Sequence, residues 1–154
     1  MTTTVQSIGI VRNERTELRD DDWDAVASVI ELRPEFPAES LAGLEEFSHV
    51  EVLFLFDRVT EASIERVARH PRENPAWPRV GIFAQRGKSR PNRLGASIAT
   101  IVHREGRCLH VRGLDAVNGT PVLDLKPVMA EYLPREPVRQ PQWSVELMRE
   151  YWSK

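Results

Sequence analysis

The sequence predicts a mainly β fold, a small antiparallel sheet curled into a barrel, with short helices and one C-terminal helix. Three observations carry this. About six short apolar or β-branched runs alternate with turn residues, the mark of a barrel or sandwich. Eleven prolines interrupt the chain, which disfavours long helices. No strand–helix–strand rhythm of a parallel sheet occurs. At 154 residues one domain is expected over 1–154, without internal repeat, low-complexity tract or linker.

Val5–Val11 reads as the opening strand, followed by an acidic loop through Asp20, Asp21 and Asp22. Ala25–Leu32 fits strand alternation and a helical face equally well, and Pro34 ends either. Leu41–Phe47 reads as a helical turn. His49–Val59 holds Val50, Val52, Leu53, Phe54, Leu55 and Phe56, the strongest strand signal, and is expected to be buried on both faces. Ala62–Arg69 is a short amphipathic piece stopped by Pro71, and Asn74–Pro78 a rigid turn. Arg79–Ala84 reads as a strand leading into a basic loop, Gln85–Leu94. Ala96–Arg104 and Arg107–Arg112 form the clearest hairpin, with Glu105-Gly106 as its turn. In that register Thr100, Val102, Leu109 and Val111 share one face. Ala99, Ile101, His103, Cys108, His110 and Arg112 share the other. After an irregular stretch marked by Pro127, Pro134, Pro137 and Pro141, a final helix is expected from Ser144 as N-cap, with Trp143, Leu147, Met148 and Tyr151 on one side.

Composition excludes several classes. Hydrophobic content of 41% and charged content of 29% describe a globular chain. No run is long and apolar enough for a membrane span, and the first residues lack a secretory pattern. The lone Cys108 excludes an internal disulfide and a Cys-rich zinc site, and suits the cytoplasm. The four histidines (His49, His70, His103, His110) show no metal-ligand spacing, and the expected register turns His103 toward Cys108 and His110 toward Ile101, so no metal site is expected. Nucleotide-binding glycine signatures and the serine-hydrolase elbow are absent.

The formal net charge of −2 conceals a strong asymmetry. Residues 1–65 carry 5 basic and 15 acidic side chains, a net of −10. Residues 66–112 carry 11 basic side chains against Glu73 and Glu105, a net of +9, and ten of those bases are Arg. Such a block either meets an anionic partner or pairs with the acidic half, within the chain or across a dimer.

The chemistry-bearing residues lie between Phe83 and Lys126. The run Gln85–Gly95 places Arg86, Lys88, Arg90 and Arg93 around Pro91-Asn92. Its arginine forks suit a carboxylate or phosphate, and a solvated hairpin tip is the structural alternative. Arg112-Gly113-Leu114-Asp115 closes a strand, Asn118-Gly119-Thr120-Pro121 is a tight turn, and Asp124 and Lys126 place opposite charges two residues apart. This is either a ligand-binding rim or an ion-paired corner.

Phe47-Ser48-His49, Gly81-Ile82-Phe83-Ala84, the Arg90-Pro91-Asn92-x-x-Gly95 run, Gly113-Leu114-Asp115 and the stretch Asn118–Pro127 together resemble the TrmO family, the S-adenosylmethionine-dependent tRNA methyltransferases with a TsaA-like domain. The resemblance spans about 7–127 and leaves 128–154 as a C-terminal extension. It implies a β-barrel methyltransferase working as a homodimer on the exocyclic nitrogen of threonylcarbamoyl-adenosine beside the tRNA anticodon. It also implies a cofactor site of Asp57, Arg58, Arg86, Ala96, Arg112, Gly113, Leu114 and Asp115. Arg86 or Arg112 would meet the cofactor carboxylate, and Asp115 or Asp57 its ribose or amine. Lys88, Arg90, Asn92, Arg93 and Lys126 would shape the substrate side, and Asp124 is the one nominated general base. Departures from the family pattern stand at Val128, at Gly87-Lys88-Ser89 and within Arg12–Val29. They keep two other readings open, a small-molecule methyltransferase on the same scaffold and a non-catalytic interaction module.

Overall fold

The structure is a computed structural model and describes residues 1–152. Six antiparallel strands close into a barrel: β1 (Gly9–Arg12), β2 (Ala27–Leu32), β3 (His49–Leu55), β6 (Leu94–Glu105), β7 (Cys108–Arg112) and β8 (Pro121–Pro127). Their order around the wall is β1-β2-β7-β6-β3-β8. Two two-residue strands, β4 (Ala68–Arg69) and β5 (Val80–Gly81), pair separately, and α1 (Gln142–Leu147) is the one α-helix among the described residues. The fold class expected from the sequence is the one observed.

The interior is filled by alternate residues of each strand, as a half-buried barrel wall requires. Val11, Ile30, Leu32, Val50, Val52, Phe54, Ala99, Leu109, Val111 and Val122 pack there with Leu41, Leu114 and Ala116. The ambiguous Ala25–Leu32 segment is strand β2. The long apolar run at β3 is not buried on both faces: Val50, Val52 and Phe54 point inward, while His49, Glu51, Leu53 and Leu55 face out half-buried. Arg79–Ala84 extends only over Val80–Gly81 before a 3-10 turn at Ile82–Ala84, and Val5–Val11 contributes only from Gly9. Leu41–Phe47 resolves into 3-10 turns at Ala38–Leu41 and Leu44–Glu46, and Ala62–Arg69 becomes a 3-10 turn at Glu61–Ser63 and strand β4. The final helix starts earlier than Ser144, with Pro141 as N-cap; the Ser144 hydroxyl donates instead to the Pro141 carbonyl at 2.7 Å.

Gly9 is fixed by packing. A Cβ there would lie 2.5 Å from the Glu31 carbonyl oxygen across the β1–β2 ladder, so only glycine lets these strands approach where the barrel closes.

The β6–β7 hairpin departs from the expected register. The turn is Gly106-Arg107, with Gly106 at φ +57°, and Glu105 pairs with Cys108. A bulge between Ile101 and His103 shifts the ladder. Ile101 pairs Val111 on the inner side, whereas Thr100, Val102, His103, His110 and Cys108 face outward. A bulge places two successive residues against one partner and so reverses the facing of everything beyond it. The expected sharing of a face by Thr100, Val102, Leu109 and Val111 fails for that reason. The Gly106-Arg107 turn, before the bulge, sets His103 directly opposite His110, with their rings stacked 4.0 Å apart, so these two histidines converge after all.

Part of the charge asymmetry is answered inside the chain. Arg72 forks onto Asp21 at 2.9 and 3.3 Å and lies 3.7 Å from Asp20, and Arg104 forks onto Glu45 at 2.8 and 3.0 Å. The Arg104 hydrogen bonds, with backbone donors behind them, pull the Glu45 carboxyl down to about 2. A carboxyl whose pKa is lower when folded stabilises the fold above its ordinary value near 4.5, and that contribution disappears as pH falls toward 2. Glu45→Gln should therefore flatten the acid limb of Tm against pH in that window, with a small loss of Tm at pH 7, because the pair is exposed, and none near pH 2; scanning calorimetry across pH checks this.

Candidate functional site

The registers show that the long connections leave the barrel at one end. Leu55 ends β3 opposite Leu94 at the start of β6, Arg112 ends β7 opposite Ala27, and Pro121 begins β8 opposite Ile10. Segments 13–26, 56–93 and 113–120 therefore gather on the same rim.

A crevice follows from unequal strand lengths. β6 has 12 residues and β7 only 5, and their pairing begins at Thr100. The preceding half of β6 is paired to β3 along one edge and left unpaired by β7 along the other. Arg86 reaches this edge and donates from Nη2 to the Ala96 carbonyl at 2.5 Å. On the facing side the chain turns away from β7 at Gly113, whose φ of +79° is a left-handed conformation that favours glycine. Its N–H donates to the Val26 carbonyl at 3.0 Å. Leu114 is then fully buried and Asp115 half-buried.

Asp115 is the central polar group. Its Oδ2 accepts a hydrogen bond from the Tyr151 hydroxyl, while its Oδ1 is buried without a partner. An orphaned buried carboxylate oxygen costs free energy unless something else completes it. Burial, then the Asp115 charge and hydrogen bond, push the Tyr151 hydroxyl far above its ordinary value, and the charges of Arg86 and Arg72 oppose this only in part. The neutral phenol stabilises the fold below pH 10, and that contribution is lost as pH rises beyond it. Tyr151→Phe should thus leave the tyrosinate absorbance that develops below about pH 11 unchanged in an ultraviolet titration.

The C-terminal segment is pinned over this rim. Asp22 and Trp23 donate their backbone N–H to the Glu150 and Tyr151 carbonyls at 3.0 and 2.9 Å, and Trp77 Nε1 donates to Glu146 at 2.8 Å. Beneath it the Arg15 guanidinium stacks 3.6 Å over buried Trp23 and bonds to the carbonyls of Asp22 and Arg19 at 2.7 and 2.9 Å. Asn13 donates to Ser28 Oγ at 2.9 Å and the Ala116 carbonyl at 2.8 Å, tying the acidic loop to the chain beyond Asp115.

Of the residues expected at a cofactor site, the crevice collects Arg86, Ala96, Gly113, Leu114 and Asp115. Arg112 lies exposed at the end of β7 and enters no ion pair among the described residues. Asp57 is exposed at the turn after β3, and Arg58 donates to the Thr16 and Asn118 carbonyls at 2.8 and 3.3 Å. The basic loop braces itself: Arg90 donates to the Gln85 carbonyl at 2.6 Å and Arg93 to the Val59 carbonyl at 2.8 Å. Asn92 is exposed at φ +63°, and Lys88 is half-buried. Asp124 and Lys126 form a 2.8 Å ion pair on the outer wall, outside the crevice. Asn13, Arg15, Trp23 and Tyr151 were not among the expected site residues. Tyr151 stood only as a packing residue, and the run of Asp20–Asp22 after Arg15 was the available sign that a cation would be enclosed there.

The crevice thus offers a carboxylate with one free oxygen, a guanidinium and an unpaired strand edge. This set suits a ligand bearing both a carboxylate and hydroxyl or ammonium donors.

The family model of the tRNA-methyltransferase O N-terminal domain matches residues 18–132. A human relative named tRNA (adenine(37)-N6)-methyltransferase is 41% identical over 105 residues, covering 68% of this chain and 23% of the relative. The Escherichia coli protein of the same name is 38% identical over 109 residues, covering 67% and 46%. A probable S-adenosyl-L-methionine-binding protein of Pyrococcus abyssi is 36% identical over 137 residues, covering 86% and 71%. A crystal structure of TrmO from Pseudomonas aeruginosa superposes with a TM-score of 0.75 at 31% identity, covering 93% of this chain and 62% of that one. The chain spans less than half the length of the human and E. coli relatives. With the matched segment running through the barrel and its rim, this chain belongs to the family of the tRNA-methyltransferase O N-terminal domain.

Proposed function

We propose that this protein is an S-adenosylmethionine-dependent methyltransferase that N-methylates threonylcarbamoyl-adenosine in the tRNA anticodon loop. The observation that carries this is the unpartnered buried oxygen of Asp115 beside Arg86 at the unpaired edge of β6. The names of the human and E. coli relatives supply the substrate class.

The bound cofactor supplies a methyl group already activated by its sulfonium. Asp115 accepts from the cofactor's amine or ribose hydroxyl, and Arg86 meets its carboxylate. Leu114 keeps water from beneath, and Gly113 allows backbone approach. Alignment of nucleophile and methyl carbon is the chain's main contribution, and no covalent nucleophile is needed. The proton of the acceptor nitrogen leaves to solvent, because Asp124, the nominated general base, does not reach the crevice. Asp124 shares an outward row with Leu53 and Ala96 on adjacent strands, about 10 Å from the crevice edge at the usual strand spacing. Both its oxygens are engaged there, Oδ2 by Lys126 at 2.8 Å and Oδ1 by the Leu125 N–H at 2.9 Å. Asp124→Asn should therefore leave both kcat and S-adenosylmethionine affinity close to the parent, as single-turnover methylation and calorimetry would show.

Arg79, Lys88 and Arg112 enter no ion pair among the described residues and supply the contact to anticodon-loop phosphates. Removing Lys88 or Arg79 should reduce the slope of log K against log salt by about 0.7 to 0.9. Homodimerisation is part of the proposal, supported by the outward Leu94, Ile98 and Val102, exposed by 46, 43 and 58%; light scattering tests it. So is a cytoplasmic setting, supported by the lone free Cys108. No described helix is long and apolar enough to cross a membrane. The deciding assay is transfer of a labelled methyl group to tRNA that carries threonylcarbamoyl-adenosine but lacks the methyl. Intact cofactor binding without transfer would favour a small-molecule acceptor, and no cofactor binding would favour an interaction module.

A further inference from the structure

The β6–β7 hairpin carries a second group of chemistry-bearing residues, at the opposite end of the barrel from the crevice. Four side chains form a two-by-two square on the outward face of its tip. His103 stands opposite His110, and Glu105 stands opposite Cys108. Along each strand the members are two residues apart, so alternation keeps all four on one face. The Gly106-Arg107 turn produces this square by pairing Glu105 with Cys108 and His103 with His110, which sets the two imidazoles face to face, 4.0 Å apart and 14° from parallel. Ligand atoms of His103, Glu105 and His110 all lie within 4.8 Å of one another. Cys108 is a half-buried free thiol. Beyond it on β2, Glu31 occupies the next outward position and is 3.7 Å from Arg12.

We propose that this hairpin tip binds a divalent transition-metal ion, with His103, His110 and Glu105 as ligands and Cys108 closing the fourth position. Two imidazoles, a carboxylate and a thiolate are a donor set that suits zinc, and cobalt in its place. Donors about 2.0 to 2.3 Å from a tetrahedral ion stand about 3.5 Å apart, so the spacing of His103, Glu105 and His110 closes by small side-chain rotations, and the half-buried Cys108 thiol turns further to join them. The ladder already fixes the backbone, which lowers the ordering cost of binding. The ion would clip the two strands across their turn, where Gly106-Arg107 is the sole covalent link. This inference does not rest on the cofactor site, since none of the four residues belongs to it.

The test is calorimetric titration of the untagged full chain with Zn²⁺, followed by Co²⁺ spectroscopy. The expected result is saturable one-to-one binding, weakened at least tenfold by His103→Ala and by His110→Ala and unchanged by His49→Ala or His70→Ala. The Co²⁺ adduct should show a thiolate charge-transfer band that Cys108→Ser removes. The thermal unfolding and far-ultraviolet circular dichroism of the hairpin variants without metal should match the parent, which shows that they fold. No saturable Zn²⁺ binding, or binding that both histidine variants retain in full, overturns the proposal. A Co²⁺ spectrum unchanged by Cys108→Ser overturns the assignment of the fourth ligand.

Discussion

Asp115→Ala is expected to weaken S-adenosylmethionine binding by about 2 kcal/mol, roughly thirtyfold, the size of a lost hydrogen bond to a charged group. The carboxylate has two oxygens with different fates. Oδ2 is engaged by Tyr151 and Oδ1 is buried without a partner, so the oxygen left over is the one a ligand completes. Tyr151→Phe separates the two roles. It frees Oδ2 without touching Oδ1, and cofactor affinity should be retained or raised. Calorimetric titration of both variants checks the pair. Equal loss in the two would mean that Asp115 serves only to anchor the C-terminal segment.

Phe54→Ala should cost about 3–5 kcal/mol of stability, the usual range for emptying a buried aromatic site. That is a large part of the 5–15 kcal/mol typical of a whole domain. Phe54 is 2% exposed, packs edge-on against Phe56 at a centroid distance of 5.3 Å, and fills the space that Gly95 leaves open. A Cβ on Gly95 would lie 2.4 Å from the Phe54 ring. Gly95→Ala should therefore cost about 1–3 kcal/mol by overpacking, and combining the two substitutions should recover part of the loss, since the added methyl enters the emptied space. Urea unfolding with an unchanged m-value measures all three. Strict additivity would show that Gly95 is required for some other reason. Gly95 also lies in the half of β6 left unpaired by β7, so the contact that packs the core sets the edge where Arg86 reaches Ala96.

The strands were legible as short apolar runs between turn residues, although β2 fitted a helical face equally well and the apolar Leu53 and Leu55 hid the alternation of β3. The hairpin register was not. Glu105-Gly106 and Gly106-Arg107 both place glycine in a two-residue turn, and no residue near Val102 announces a bulge. The choice between them moved the partner of His103 from Cys108 to His110. At the site, Arg86, Ala96 and Gly113–Asp115 were legible through motifs that lie close together in the chain. Tyr151 was not, because its contact with Asp115 joins residues 36 apart and follows from the path of the chain after β8. Arg90 and Arg93 show the reverse error of emphasis. Their motif drew them toward a ligand, yet their guanidinium groups are occupied by backbone carbonyls of their own loop and its neighbour, because a bent loop without strand pairing must satisfy its carbonyls somehow. The +9 block likewise proved divided, with Arg72 and Arg104 neutralised by the acidic half of the same chain.

The central claim is that the cofactor lies between the unpaired edge of β6 and Gly113–Asp115. Amide hydrogen exchange with and without S-adenosylhomocysteine tests it most directly, because the unpaired edge should exchange readily until a ligand covers it. The account predicts new protection at 86–87, 94–98 and 113–116, with the β6–β7 hairpin tip unchanged. Protection confined to the concavity lined by Glu65, Arg69, His70 and Arg79, with the β6 edge exchanging as before, would contradict it.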